Sequence, residues 1–132
     1  MSELNEKILI IEDEAAMSEA IKLRLEANGY SVITALDGQE GLSKARTENP
    51  QLIILDIMLP KLDGFHICRM LKFDEKYSKI PIIMLTARSQ QKDIEQGTEM
   101  GADAYMTKPF KSEALLEKIK SLLGARVSAK AG

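Results

Sequence analysis

The sequence predicts an α/β fold with a doubly wound, five-stranded parallel sheet and helices on both faces. Three observations support this prediction. Short, continuous apolar runs recur along the chain, and such runs are typical of strands buried on both faces. Segments with apolar residues at helical spacing alternate with these runs, through short connections. The 132 residues are enough for one domain with its own core.

The strands are the clearest elements. Residues 52–55 are wholly apolar and are followed at once by Asp56, so this run is predicted as a central strand. Pro60 and Asp63-Gly64 then prevent regular structure until a helix can begin. Asp56 is therefore expected on a stiff loop at the carboxyl end of that strand. The other predicted strands are residues 7–11, 31–35, 81–85 and 104–106.

A helix is predicted after each strand. The first has apolar residues at helical spacing and ends at Asn28-Gly29. Its inward residues are predicted to be Met17, Ile21 and Leu25, supported by Ala16 and Ala20. Gly97 lies inside the fourth helix and lowers helix stability by about 1 kcal/mol relative to Ala, so this helix is expected to be the most mobile. The second to fifth helices are predicted at about 38–49, 64–73, 89–100 and 112–124.

Composition and charge narrow the possible functions. A formal net charge of −2 gives no basic surface for direct nucleic-acid binding and no membrane-binding signal. No apolar run has membrane-spanning length, and no basic leader precedes an apolar segment. Cys68 is the only cysteine, which fits a reducing compartment. We therefore expect a soluble, cytoplasmic protein.

The first polar residues after the buried strands form a chemically coherent set. They are Glu12 and Asp13, Asp56, Thr86 and Lys108. The carboxyl ends of parallel strands share one edge of the sheet, where ligands bind in such folds. Three carboxylates at one place repel one another and need a proton or a cation. A hard divalent ion is the natural solution, and Mg²⁺ is preferred to Ca²⁺ because few ligands are offered. A metal, a lysine and a hydroxyl together suit a phosphoryl group, with Asp56 best placed as nucleophile or ligand.

The residues at the strand ends lie in four motifs: Ile11-Glu12-Asp13, 55–60 (LDIMLP) with Asp63-Gly64, Leu85-Thr86-Ala87 and 105–110 (YMTKPF). Together these motifs resemble the receiver domain of two-component response regulators, including single-domain chemotaxis-type regulators. The resemblance runs from about residue 7 to residue 123. It implies a flavodoxin-like sheet of strand order 2-1-3-4-5, with a receiver domain at residues 7–124. Residues 1–6 would form a flexible leader, and residues 125–132 a flexible tail or truncated linker.

The resemblance implies a role for each acid at the strand ends. Asp56 would accept a phosphoryl group from a phosphohistidine on a sensor histidine kinase or phosphotransfer protein. Glu12, Asp13, Asp56 and the backbone carbonyl of Met58 would hold Mg²⁺. The chain would then be a phosphoacceptor that catalyses its own phosphotransfer, not a multi-turnover enzyme.

The resemblance also implies how the signal leaves the site. Thr86 would hydrogen-bond the phosphoryl group, and Lys108 would pair with it through a loop with a cis Lys108-Pro109 bond. Tyr105 would change rotamer together with Thr86 and alter a surface that docks a downstream protein target or effector.

The lifetime of the phosphoryl group is predicted from two positions that flank the approach of water in this family. They are Met58 and Arg88, two residues beyond Asp56 and Thr86. Met58 offers water no hydrogen bond, and Arg88 can lie across the phosphoryl oxygens. Neither can orient an attacking water, so slow self-dephosphorylation is expected.

Three other functions fit the sequence less well. A haloacid-dehalogenase-type phosphatase needs a second Asp where this chain has Met58. A flavodoxin-like electron carrier needs a phosphate cradle where this chain has the acidic Glu12-Asp13-Glu14. A pure interaction module would be expected to have lost part of the site, but every member is present.

Overall fold

A five-stranded parallel sheet lies at the centre of the computed structural model, which describes residues 6–60 and 62–131, with side chains through residue 124. The strands are Lys7–Ile11 (β1), Ser31–Ala35 (β2), Leu52–Leu55 (β3), Ile82–Thr86 (β4) and Ala104–Thr107 (β5). Their order in the sheet is β2-β1-β3-β4-β5, which confirms the predicted doubly wound fold. The helices are Ala15–Ala27 (α1), Gly38–Thr47 (α2), Gly64–Lys72 (α3), Gln91–Glu99 (α4) and Ser112–Ala131 (α5).

The core consists of two apolar layers, one on each face of the sheet. The layer under α2 and α3 includes Ile53, Leu55 and Ile67, and the opposite layer, under α1 and α5, includes Ile54 and Ile119. All four residues of β3 are buried, because successive side chains enter opposite layers. Each fully buried Ile or Leu stabilises the fold by about 1.5–3 kcal/mol. The central strands are thus a rigid base for the loops at their carboxyl ends.

Capping aspartates and a glycine mark the ends of several helices. The Asp37 carboxylate accepts a hydrogen bond from the Glu40 amide at 2.8 Å and caps α2. Asp63 caps α3 in the same way, through the His66 amide at 3.1 Å. After α1 the chain turns at Gly29, whose φ of 93° is favourable only for glycine.

The structure differs from the predicted elements in several details, and most strand and helix bounds shift by one or two residues. Ala16 and Ala20 are exposed, because the inward stripe of α1 passes through Ser18, Ile21 and Leu25. Helix α4 begins at Gln91 and ends at Glu99, within the predicted range 89–100. Helix α5 continues through Gly124, since the cost of one glycine, about 1 kcal/mol, does not end a helix followed by good helix formers.

The boundaries proposed for the two termini remain predictions. Of the predicted leader, residues 1–5 lie outside the described part of the chain. Of the predicted tail, α5 includes the backbone as far as Ala131, and Gly132 lies outside the described residues.

Among residues 6–60 and 62–131, no helix has the length and apolar character needed to cross a membrane. Cys68 is buried, and burial raises the pKa of its thiol to about 12.

Candidate functional site

The loops that follow the strands are tied to neighbouring strands, which fixes where their side chains lie. The amide of Asp56, the residue directly after β3, donates a hydrogen bond of 3.0 Å to the carbonyl of Ile11, the last residue of β1. The two strands therefore stay joined at this end. The Glu12 amide donates to the Ala35 carbonyl, also at 3.0 Å, and the Lys108 amide donates to the Thr86 carbonyl at 2.8 Å. The residues at the strand ends therefore share one rigid edge, which we call the carboxyl rim.

Lys108 forms the centre of the charged cluster at the rim. Its Nζ lies 2.6 Å from Glu12 Oε1 and 3.0 Å from Asp56 Oδ2. Glu12 is 3% exposed and Asp56 is 6% exposed, so both ion pairs are largely shielded from water. One ammonium thus holds together two buried carboxylates that would otherwise repel each other.

The third acid of the rim faces solvent. Asp13 is exposed, yet carboxylate oxygens of Glu12, Asp13 and Asp56 all lie within 4.8 Å of one another. These three acids are the residues at which the sequence predicts a metal. Their spacing and all-oxygen chemistry are compatible with a small hard cation such as Mg²⁺.

Burial and pairing shift the pKa values of this cluster. Burial raises the pKa of Glu12 above its ordinary value of 4.5, despite hydrogen bonds from the Lys108 ammonium and the Glu14 amide. Burial by itself would lower the pKa of Lys108, but the hydrogen bonds to Glu12 and Asp56 outweigh it, so this pKa lies above 10.5. Lys108 is therefore a permanent cation at neutral pH.

The loop after β3 holds Asp56 from the other side. The Met58 amide donates to Asp56 Oδ1 at 3.1 Å, so each carboxylate oxygen of Asp56 has a partner. Gly64 packs directly against the backbone of this loop, and a Cβ there would lie 2.6 Å from Ile57 Cα and would also collide with the Asp56 carbonyl. Only glycine fits, which explains the Asp63-Gly64 pair. The Met58 side chain is 57% exposed above the loop.

Thr86 and Tyr105 lie on adjacent strands and are linked through Arg88. Thr86 is fully buried, and its Oγ1 accepts a hydrogen bond from the Arg88 amide at 3.4 Å. The Tyr105 hydroxyl donates to the Arg88 carbonyl at 2.7 Å. The Tyr105 ring packs on α4 at Gly97, where a Cβ would lie 2.9 Å from the ring. Gly97, predicted to weaken α4, thus also makes room for Tyr105.

The side chain of Arg88, which the sequence allows to lie across a phosphoryl group, pairs with α4 in the structure. Its Nη2 lies 2.9 Å from Asp93 Oδ1. Sequence reasoning missed Asp93, although its place three residues after Gln90 is the position of a capping acid. The Lys108-Pro109 bond is cis, as the resemblance implies.

A doubly wound sheet with a strand-end aspartate among acids and a lysine is the arrangement that the resemblance to receiver domains predicts. The chain matches the response regulator receiver domain family over residues 8–120 and belongs to it. It is thus a receiver domain of the two-component type.

Several curated proteins are similar to this chain. The alkaline phosphatase synthesis transcriptional regulatory protein PhoP of Bacillus subtilis is 47% identical over 120 residues, which are 91% of this chain and 49% of that protein. The DNA-binding dual master transcriptional regulator RpaA of Synechocystis is 47% identical over 117 residues, or 89% of this chain and 48% of that protein. The chain therefore spans about half the length of these relatives.

Solved structures of receiver domains are also similar to this chain. A CheY-like receiver domain protein from Methanospirillum hungatei superposes with a TM-score of 0.88 at 33% identity, covering 97% of this chain and 99% of that one. The BeF3-activated DrrB receiver domain gives a TM-score of 0.84 at 34% identity, with 92% and 99% covered.

Proposed function

We propose that Asp56 accepts a phosphoryl group from a phosphohistidine on a sensor histidine kinase or a phosphotransfer protein. A carboxylate oxygen of Asp56 attacks phosphorus while the phosphorus–nitrogen bond breaks. The electron pair of the broken bond stays on the imidazole nitrogen of the donor. The observation behind this proposal is the position of Asp56, fixed at the rim by Lys108 and the Met58 amide. Lys108 would pair with the oxygens of the incoming group.

The acids of the rim fit a bound Mg²⁺. Glu12, Asp13 and Asp56 would hold the ion together with the backbone carbonyl of Met58, and three close carboxylate oxygens are the donors such a cation prefers. The ion would neutralise negative charge on the phosphoryl oxygens. Lys108 offsets only part of the charge of the three acids, so the rim retains a net attraction for a cation.

Asp13→Asn should weaken Mg²⁺ binding by about tenfold or more, because it removes one full charge from the cluster. Mg²⁺ titration followed by calorimetry or NMR measures the effect. Glu14→Gln is the matched control, since this neighbouring exposed acid lies outside the cluster. Equal Mg²⁺ affinity in Asp13→Asn and the wild type would contradict the site.

The route from the site to the surface would pass through Thr86 and Tyr105. A phosphoryl group on Asp56 brings charge and acceptor oxygens that the Thr86 hydroxyl can reach as a donor. Tyr105 would then change rotamer, and the surface around α4, β5 and α5 would shift between two states. The contact of both residues with Arg88 supports this coupling.

The partners follow from this chemistry. Upstream we propose a histidine kinase or phosphotransfer protein, and downstream a protein target or an effector domain. The relatives PhoP and RpaA are transcriptional regulators by name. This chain, with its net charge of −2, would not itself contact nucleic acid or a membrane. Its buried free Cys68 suits the reducing cytoplasm.

Met58→Asn should shorten the lifetime of the phosphoryl group several-fold. The Met58 side chain is exposed beside Asp56 and offers water no hydrogen bond, whereas a carboxamide could orient an attacking water. Decay of the phosphorylated chain after donor removal measures the effect. Met70→Asn, at an exposed position on α3, is the control. A decay rate in Met58→Asn equal to that of the wild type would refute slow self-dephosphorylation through Met58.

The proposed function is tested by incubating the chain with a small phosphodonor such as acetyl phosphate, with and without Mg²⁺. Intact-mass measurement should show one added phosphoryl group per chain, and chelation of Mg²⁺ should suppress it. A chain that stays unmodified with Mg²⁺ and donor in excess, while still folded by circular dichroism, would overturn the proposal.

A further inference from the structure

Strand β2 is an open edge of the sheet. It pairs with β1 on one side and, among the strands that the structure describes, has no neighbour on the other. The Glu12 amide donates to the Ala35 carbonyl, so the backbone groups of Ala35 face β1. Because these groups alternate in direction along a strand, those of Thr34 and Leu36 face away from β1. They are the groups to which a sixth strand would bond.

Two side chains of α2, Glu40 and Lys44, already occupy this part of the edge. Lys44 Nζ donates to the Thr34 carbonyl at 2.6 Å, and the Leu36 amide donates to Glu40 Oε1 at 2.9 Å. The other oxygen of Glu40 lies 3.0 Å from Lys44 Nζ, so the two side chains form one ion pair. The hydrogen bond from the Leu36 amide, followed by that from Lys44, lowers the pKa of Glu40 from its ordinary value of 4.5. Glu40 is therefore charged at neutral pH.

The Glu40–Lys44 pair makes the same bonds as one residue of a neighbouring strand. In a parallel ladder, a single residue donates its amide to the carbonyl that precedes its partner, and its carbonyl accepts from the amide that follows that partner. A residue opposite Ala35 would thus bond the Thr34 carbonyl and the Leu36 amide. Lys44 and Glu40 hold these same two groups. A strand can be added here only if both side chains are displaced.

The sequence of β2 does not itself oppose pairing. Residues 31–35 (SVITA) include three β-branched residues, no charge and no proline. Proteins commonly protect an edge strand by placing a charge or a proline within it, and here neither is present. Two copies of β2 would therefore meet without charge repulsion. A second copy is also present wherever the chain is, so it is the strand that an uncovered β2 meets first.

We propose that the Glu40–Lys44 pair keeps β2 from pairing with β2 of a second copy. About a twofold axis, two uncovered β2 strands would join antiparallel and unite two sheets into one. The inference does not depend on the proposed function, because neither residue belongs to the acid cluster. The side chains of Glu40 and Lys44 are 42% and 35% exposed, and exposed ion pairs contribute little to stability. Loss of the pair should thus leave the chain folded.

The combined variant Glu40→Ala with Lys44→Ala should self-associate about tenfold or more tightly than the wild type. The hydrogen bonds that the pair makes at the edge are then available to a second copy. The variant keeps the net charge of −2, and alanine preserves α2. Sedimentation equilibrium of the full chain measures the association constant. The matched control is Lys22→Ala with Glu26→Ala, which removes the same charges four residues apart on α1 and should associate as the wild type does.

Amide hydrogen exchange followed by NMR identifies the surface that associates. In the Glu40→Ala, Lys44→Ala variant, the outward amides of Val32 and Thr34 should become more protected as the chain concentration rises. Adding Thr34→Pro should reverse the association in a chain that is still folded by circular dichroism, because this amide faces away from β1. An association constant equal to that of the wild type would overturn the proposal. An equal rise in the control, or a rise without protection of the β2 amides, would also overturn it.

Discussion

Asp56→Asn should receive no phosphoryl group from a small phosphodonor or from a phosphorylated kinase. The amide has the shape of the carboxylate but lacks the negative oxygen that attacks phosphorus. The Met58 amide can still donate to the asparagine oxygen, and Lys108 keeps its ion pair with Glu12. The variant should therefore fold, and mass measurement after incubation with donor and Mg²⁺ should show the unmodified chain.

The matched control for this experiment is Asp63→Asn on the same loop. Asp63 is an exposed acid that caps α3, and asparagine caps helices equally well. Asp63→Asn should gain one phosphoryl group as the wild type does. Modification of Asp56→Asn at the wild-type level would place the acceptor elsewhere and end the assignment.

Lys108→Met should lower the free energy of unfolding by about 3 kcal/mol near pH 7 without Mg²⁺. It removes the shared partner of two buried carboxylates and leaves Glu12 and Asp56 facing each other. Urea unfolding followed by circular dichroism measures the loss. Lys111→Met, at a nearby exposed lysine, should change stability little, and a comparable loss in both variants would contradict the central role of Lys108.

The same variant has a defined pH dependence. The pKa of Lys108 is raised in the folded chain, so its stabilisation is complete below the ordinary value of 10.5 and is lost as the pH rises through the folded value. The difference between wild type and Lys108→Met should therefore shrink in alkali. It should also shrink in acid, where Glu12, whose pKa is raised by burial, becomes protonated and no longer repels the neighbouring carboxylate. A constant difference across this range would show that the methionine acts through packing.

The positions of the acids at the rim were largely predictable, because strands buried on both faces appear in the sequence as uninterrupted apolar runs. An uninterrupted apolar run such as β3 cannot contain a charge, so the first acid after it marks the end of the strand. Parallel pairing then brings Asp56 beside Glu12 without any further information. The close ion pairs of Lys108 follow the same rule, since β5 ends at the same edge.

The contacts of Arg88 and Asp93 could not be predicted in the same way. Long side chains on loops have many rotamers, and the choice depends on partners from other elements. A charge in a weakly apolar helix such as α4 is expected to face solvent, yet Asp93 is buried because it closes a capping box. Similarly, exposed Ala16 and Ala20 show that alanine gives little indication of which helix face is inward.

The charged rim and the proposed switch come from different stretches of the chain. The acids follow β1 and β3, whereas Thr86, Arg88, Asp93 and Tyr105 all lie within residues 86–107. A gene segment encoding that stretch could be exchanged between related receivers by recombination while the acid cluster stays intact. Descendants of such an exchange would keep the three acids of the rim, whichever residues replace those of the exchanged stretch.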